Sequence, residues 1–236
     1  MAPEPVVAIV VAAGSGVRMG GDVPKALLQL GGRTLIECGV ASLAAGGVTH
    51  VVIVVPQGGA ADFADALGRQ DGRRGMPIPN VLAVGGASRQ ESVARGLAAI
   101  DALAPRCRFV LVHDAARPLV PPALVTQVIE TVVAGARACV PVLPVVDSVR
   151  RLTADGSEIV DRDPLRFVQT PQGFDRATLV AGHERLRKTG ASVTDDASAV
   201  AALGYPITFV DGSPEALKIT TPFDLMVAEA IEAGRR

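Results

Sequence analysis

Short valine-rich runs recurring as far as residue 144 constrain the fold more than any other feature of this chain. VVAIVVAA (6–13), HVVIVV (50–55), NVLAV (80–84), RFVLV (108–112) and ACVPVLP (138–144) are too short for ordinary helices and show no polar alternation. A strand reads this way when both of its faces are covered, as in a parallel sheet sandwiched by helices. Apolar residues make up 49% of the 236 but aromatics only 3%, so Val, Leu, Ile and Ala must fill the interior.

Helical patterns lie between most of these runs, and several have legible starts. Thr34 with Glu37 and Ser88 with Glu91 match the capping box, and Thr221, Pro222 and Asp224 announce a last helix ending near Gly234. Regular alternation of strand and helix implies βαβ crossovers in a mostly parallel, three-layer α/β sheet. The length suits one domain spanning 1–236. One stretch departs from the pattern. SVRRLTADGSEIVDRDPL (148–165) reads as two short polar strands around ADGS, a hairpin arm leaving the sheet and able to reach a second subunit.

A formal net charge of −1 offers no general attraction for nucleic acid or an anionic membrane. No apolar run approaches the roughly eighteen residues of a membrane span, and MAPEP lacks the basic start of a signal peptide, so a soluble, cytoplasmic protein is expected. Cys38, Cys107 and Cys139 are far apart among apolar residues and read as buried thiols. His50, His113 and His183 are too scattered for a metal triad; His183 is expected to be exposed and His113 to brace its loop.

Directly after the first run comes VAAGSGVRMGGDVPKAL (11–27), rich in glycine and carrying Arg18 and Lys25. Glycines leaving the first strand of an α/β sheet let backbone amides approach an anion, and ligands gather at that end of such sheets. Two fixed cations suit a polyphosphate under attack at phosphorus. A Walker A loop fails, because Pro24 precedes Lys25 and Ala26 follows it. A dinucleotide fingerprint lacks its acid, since the second run ends in Val54, Val55, Pro56 and Gln57. A nucleoside triphosphate loop remains, beside the plainer option of a tight turn with two solvated cations. VHDAARPLV (112–120) sets Asp114 and Arg117 at the same sheet edge, where an acid can hold ribose or a magnesium ion and an arginine a phosphate, or the two can simply pair. In VGGASRQESV (84–93), backbone groups of Gly85 and Gly86, with Ser92, can read the edge of a base.

The ordered blocks AAGSGVRMGGDVPKAL, GGASRQESV, VHDAARP, VDRDPLRFVQTPQ, TDDASAV and LKITTPFDL, covering about residues 6 to 230, resemble the 2-C-methyl-D-erythritol 4-phosphate cytidylyltransferases of the non-mevalonate isoprenoid pathway. The resemblance implies a Rossmann-like nucleotidyltransferase sheet and a magnesium-assisted reaction. In it, the acceptor phosphate attacks the α-phosphorus of CTP and displaces pyrophosphate. It implies Arg18, Lys25, Arg162 and Lys218 as catalytic cations. Ala12, Ala13, Gly14, Gly16, Gly85, Gly86, Ser92 and Asp114 would line the CTP site, Asp114 also being a metal ligand. Arg117, Ser148, Thr194, Arg162 and Lys218 would serve the acceptor. Ser148 stands where threonine is expected and Ala87 where an acid is common. The resemblance also implies a homodimer in which the arm carries Ser148 and Arg162 into the partner's site. A cytidylyltransferase for another polyol phosphate, such as ribitol phosphate, and a nucleotide-sensing module without turnover are the alternatives. The length leaves no room for a fused cyclase.

Overall fold

The computed structural model describes residues 4–14, 23–68 and 76–235. In chain order these form β1 (Val6–Val11), β2 (Gln29–Leu30), β3 (Arg33–Thr34), α1 (Leu35–Ala45), β4 (His50–Val55), α2 (Ala60–Leu67), β5 (Asn80–Val84), α3 (Arg89–Leu103), β6 (Phe109–Asp114) and α4 (Pro122–Val133). The second half contributes β7 (Ala138–Pro144), β8 (Val149–Thr153), β9 (Gly156–Val160), β10 (Arg166–Val168), β11 (Gln172–Asp175), α5 (Arg176–Thr189), α6 (Ala197–Ala201), β12 (Thr208–Asp211) and α7 (Pro222–Gly234).

Each valine-rich run became a strand of one sheet. Along β1 the side chains alternate between two cores, as the pleat requires. Val6, Ala8 and Val10 pack with α1, α2 and α4, whereas Val7 and Ile9 pack with α3, α5 and α6. Val7, Ala8 and Ile9 are fully buried, and a buried Val or Ile contributes roughly 1.5–3 kcal/mol. That double burial explains the absence of polar alternation in the sequence, and it makes the three layers. A third, smaller core joins Leu30, Leu35, Cys38, Leu119 and Ile219 to Ala228 of α7.

Strands β6, β1, β4 and β5 lie side by side and parallel in that order. The chain runs outward from β1 through β4 to β5, then returns to place β6 on the other side of β1. Loops leaving β1 and β6 therefore diverge at a topological switch point, where open α/β sheets bind ligands. Beyond β6 the sheet turns mixed: β11 is antiparallel to both β6 and β7, β10 is antiparallel to β7, and β12 is parallel to it.

The helix starts behave as the sequence implies, with one difference. Thr34–Glu37 and Thr221–Asp224 are reciprocal capping boxes. At α3 only half the box exists: Ser88 accepts from the Glu91 amide, while the Glu91 carboxylate reaches past Ser88 to the Ala87 N–H at 2.9 Å. All three cysteines are buried thiols. No helix among the described residues is long and apolar enough to cross a membrane.

The expected arm is a separate two-stranded hairpin, β8 against β9, registered from Val149↔Val160 to Thr153↔Gly156. Gly156, at φ 143, takes up a backbone conformation closed to most side chains. Side chains on both faces of the arm are exposed, including Leu152 and Ile159.

Candidate active site

Parallel register sets the site. Val11 of β1 lies opposite Asp114 of β6 and Val54 of β4, so the loops after these strands open at one edge. There they enclose a cleft of about 570 Å³ whose lining includes Ala12, Ala13, Gly14, Lys25, Asp114 and Lys218.

One wall is the turn from β5 into α3. The Gly85 N–H donates to Val55 O at 2.8 Å, which draws the loop against β4. A β-carbon on Gly85 would stand 2.7 Å from Ala13 Cβ and 2.9 Å from Ser92 Oγ, so only glycine lets this turn pack against the loop after β1. Ser92 is buried. Its hydroxyl donates to Ser88 O at 2.8 Å and accepts from the Gly86 N–H at 3.1 Å, holding the turn in shape.

The opposite wall is the turn after β6, and a hydrogen-bond chain explains its rigidity. His113 Nε2 lies 3.0 Å from Arg117 O, and a carbonyl can only accept, so the proton sits on Nε2. Nδ1 then accepts from the Thr170 hydroxyl at 3.2 Å, whose oxygen accepts the Asp114 N–H at 3.0 Å. Burial pushes the His113 imidazole down to about 4, so it stays neutral in this role. The expected bracing by His113 is thus present, with Thr170 as its partner.

Asp114 and Arg117 do not pair. Asp114 Oδ2 lies 2.7 Å from Lys218 Nζ, and Oδ1 lies 3.6 Å from Arg89 Nε. Burial alone would raise the Asp114 carboxyl, but Lys218 and Arg89 outweigh it and hold it below the usual carboxylate range. Arg117 turns away, donating to Ala216 O at 2.6 Å and Val168 O at 3.3 Å. Ile219, next to Lys218, donates its N–H to Ala116 O and accepts from Lys25 Nζ at 2.7 Å. Arg117 and Lys25 therefore stitch the Lys218 segment onto the cleft.

Of the residues expected from sequence, Ala12, Ala13, Gly14, Lys25, Gly86, Ser92, Asp114 and Lys218 meet around the cleft, with Gly85 buried just behind. Gly16 and Arg18 lie outside the described residues. Arg117, expected at the acceptor phosphate, is instead held by backbone carbonyls of its own chain and does not line the cleft. Ser148, Arg162 and Thr194 are exposed and do not line it either; Arg162 donates to Val146 O at the base of the arm. His183 corrects the sequence reading. It is buried, 6% exposed, with Nε2 3.2 Å from Asp196 Oδ1, because α5 packs its inner face against the segment before α6.

Arg89 went unnoticed in the sequence although it lines the cleft and bridges Asp114 and Asp196. A cation in the first turn of a helix faces the positive end of the macrodipole. An arginine directly after the Ser88 cap is therefore a signal that something other than helix propensity holds it there.

Among the described residues, Asp114 is the one carboxylate in the cleft lining, and no cluster of three or more His, Cys, Asp or Glu side chains could hold a metal ion. This donor set fits a magnesium ion held jointly by one carboxylate and by substrate phosphates, not a protein cage.

A glycine-bearing cleft at the switch point of a three-layer sheet, walled by cations, is the arrangement of a nucleotidyltransferase. The family model for IspD, 2-C-methyl-D-erythritol 4-phosphate cytidylyltransferase, matches residues 6–233. The enzyme of that name from Streptomyces avermitilis is 45% identical over 97% of this chain and 92% of its own length. The crystal structure of the Thermus thermophilus enzyme aligns with a TM-score of 0.75 at 38% identity, covering 96% of this chain and 98% of its own. A synthase from Anaerococcus prevotii aligns at 0.81 with 26% identity. The chain belongs to the 2-C-methyl-D-erythritol 4-phosphate cytidylyltransferase family.

Proposed function

We infer that this chain joins CTP to 2-C-methyl-D-erythritol 4-phosphate, giving 4-diphosphocytidyl-2-C-methyl-D-erythritol and pyrophosphate. The observation that carries the reading is the meeting of Lys25, Lys218 and Asp114 at one sheet edge, within a chain that matches the family over residues 6–233. An acceptor phosphate oxygen attacks the α-phosphorus in line with departing pyrophosphate. Two anions must be brought together, so positioning and charge neutralisation are the protein's main tasks.

Lys25, fixed beside Ile219 O, would face the triphosphate as charge builds at phosphorus, with Arg18 as its companion in the glycine loop. Lys218 would meet the acceptor phosphate. Its ammonium rests on Asp114 at 2.7 Å, so a substrate phosphate would meet a cation already placed. Ser92 and the Gly85–Gly86 turn would frame the base. Magnesium, on Asp114 and the phosphates, would neutralise charge on the leaving pyrophosphate.

We further propose a homodimer acting in the cytoplasm. Ser148 and Arg162 lie on or beside an exposed arm and do not line the cleft of their own chain. The reading places them, with Thr194, around the acceptor once the arm reaches a second copy. Exposed Leu152 and Ile159 support this, since apolar side chains sharing one face of a hairpin favour a covering surface.

Pyrophosphate release with CTP and magnesium tests the reaction. Release with methylerythritol phosphate and not with ribitol phosphate is the expected result. Release with ribitol phosphate alone would move the chain to another polyol, and CTP binding without turnover on any acceptor would make it a sensor.

A further inference from the structure

A line of charged groups runs from the cleft into the interior, and the reaction as described does not use it. Arg89, the first residue of α3, donates from Nη1 to Asp196 Oδ2 at 2.6 Å while its Nε faces Asp114. Asp196, whose side chain is 2% exposed, meets His183 of α5 through its other oxygen. Beside it, Asp195 Oδ2 accepts from Gln172 Nε2 at 3.2 Å, and Gln172 Oε1 accepts the Ala197 N–H. The segment 194–197 is thus fastened to β11 by Gln172 and to the start of α3 by Arg89. Among the described residues, the other polar link between α3 and this region is a long one, Gln90 Nε2 to Ala191 O at 3.5 Å.

We propose that Arg89 is a positioning residue for cytidylyl transfer: it sets the base-framing turn, Asp114 with Lys218, and the segment bearing Thr194 at fixed distances from one another. The inference rests on the reaction described above. The guanidinium is the part common to both halves of the site, one edge toward Asp114 on β6 and the other on Asp196 before α6. By sharing the Asp114 carboxylate it also leaves the Lys218 ammonium less fully neutralised, and so better able to take a substrate phosphate. Lysine could meet one carboxylate but not span two, because a guanidinium presents donors in a fixed fork.

Misalignment of two bound substrates by about 1 Å can slow a reaction on the order of 100-fold while each still binds. Steady-state kinetics on R89M should show kcat lower by about 100-fold, with KM for CTP and for methylerythritol phosphate within about threefold of wild type. R89K should recover part of the loss. D196N should reproduce it, and R89M combined with D196N should be little worse than R89M alone, since both remove one tie. Melting temperatures of all variants separate a fold defect from this pattern, and R89K with D196N carries the comparison if R89M does not fold. A kcat within about twofold of wild type, or a loss carried by either KM, overturns the proposal. Wild-type protein assayed alongside is the separate check on the reaction: its silence overturns the reaction, whereas an active wild type with an equally active R89M overturns Arg89.

Discussion

In the cleft, Asp114, Lys218, Lys25 and Arg89 are all engaged by groups of the same chain, at distances between 2.6 and 3.6 Å. On the arm, Leu152 is 84% and Ile159 65% exposed, and the ion pair Arg151–Glu158 lies in open solvent. The cleft is preorganised by its own strands and loops. The arm has a backbone and a register but no surface to rest on. Because β8 and β9 pair Arg150 with Ile159 and Leu152 with Ser157, Leu152 and Ile159 fall on one face, with Arg151 and Glu158 on the other. One molecule therefore holds a finished half, the cleft, and an exposed, unfinished half, the arm, which we propose meets a second chain.

Breaking the finished half should have the largest effect. K25A is expected to lower turnover by about 100- to 1000-fold, as loss of one transition-state donor commonly does, while calorimetry still detects CTP. Turnover near wild type would remove Lys25 from the mechanism. Next comes the unfinished half. L152E with I159E should leave a folded monomer by light scattering and reduce activity by about tenfold to 100-fold, because the acceptor residues no longer reach a partner's cleft. R162A should act on acceptor KM and spare CTP KM. A monomeric variant with full activity would make the cleft self-sufficient and the comparison empty.

A third test bears on the support behind the cleft. His113 has its titration lowered from 6.5 to about 4, so the unfolded chain takes up the proton first as pH falls. Its contribution is complete above the unfolded value and is lost between 6.5 and 4, amounting to about 3 kcal/mol over that window. Urea midpoints measured at about pH 7 and about pH 4.5 should differ accordingly in wild type, and by clearly less in H113Q. An equal pH dependence in both would assign the effect to other groups. The smallest change is at the start of α1: T34A removes a reciprocal cap and should cost about 1 kcal/mol by the same denaturation, with kcat untouched.

Sequence reading went furthest where local pattern and burial agree. The runs at 50–55, 80–84 and 138–144 are strands with those bounds, and the first and fourth differ only at their ends. Strand β11 was not legible as such, since Gln172–Asp175 contains one large apolar residue, Phe174, and owes its place to being inserted between β6 and β7. The cleft was legible as a set of motifs. Its internal pairings were not, because Asp114 stands 104 positions from Lys218, a separation read directly from their numbers, and only the return of the chain after β12 brings them to 2.7 Å.

What the sequence determined by itself is the class of fold, the helix starts, the arm and the gathering of cations and glycines at one sheet edge. These follow from periodicity, from caps a few residues long, and from the rule that loops after parallel strands share an edge. Tertiary structure alone decided which charge answers which. Arg117 came to donate to backbone carbonyls, His183 went inward to Asp196, and Arg89 came to stand between two acids. Such choices depend on a few ångströms and on burial, since Coulomb attraction and desolvation both change steeply over that range, and neither distance nor burial is a property of neighbouring residues in the chain.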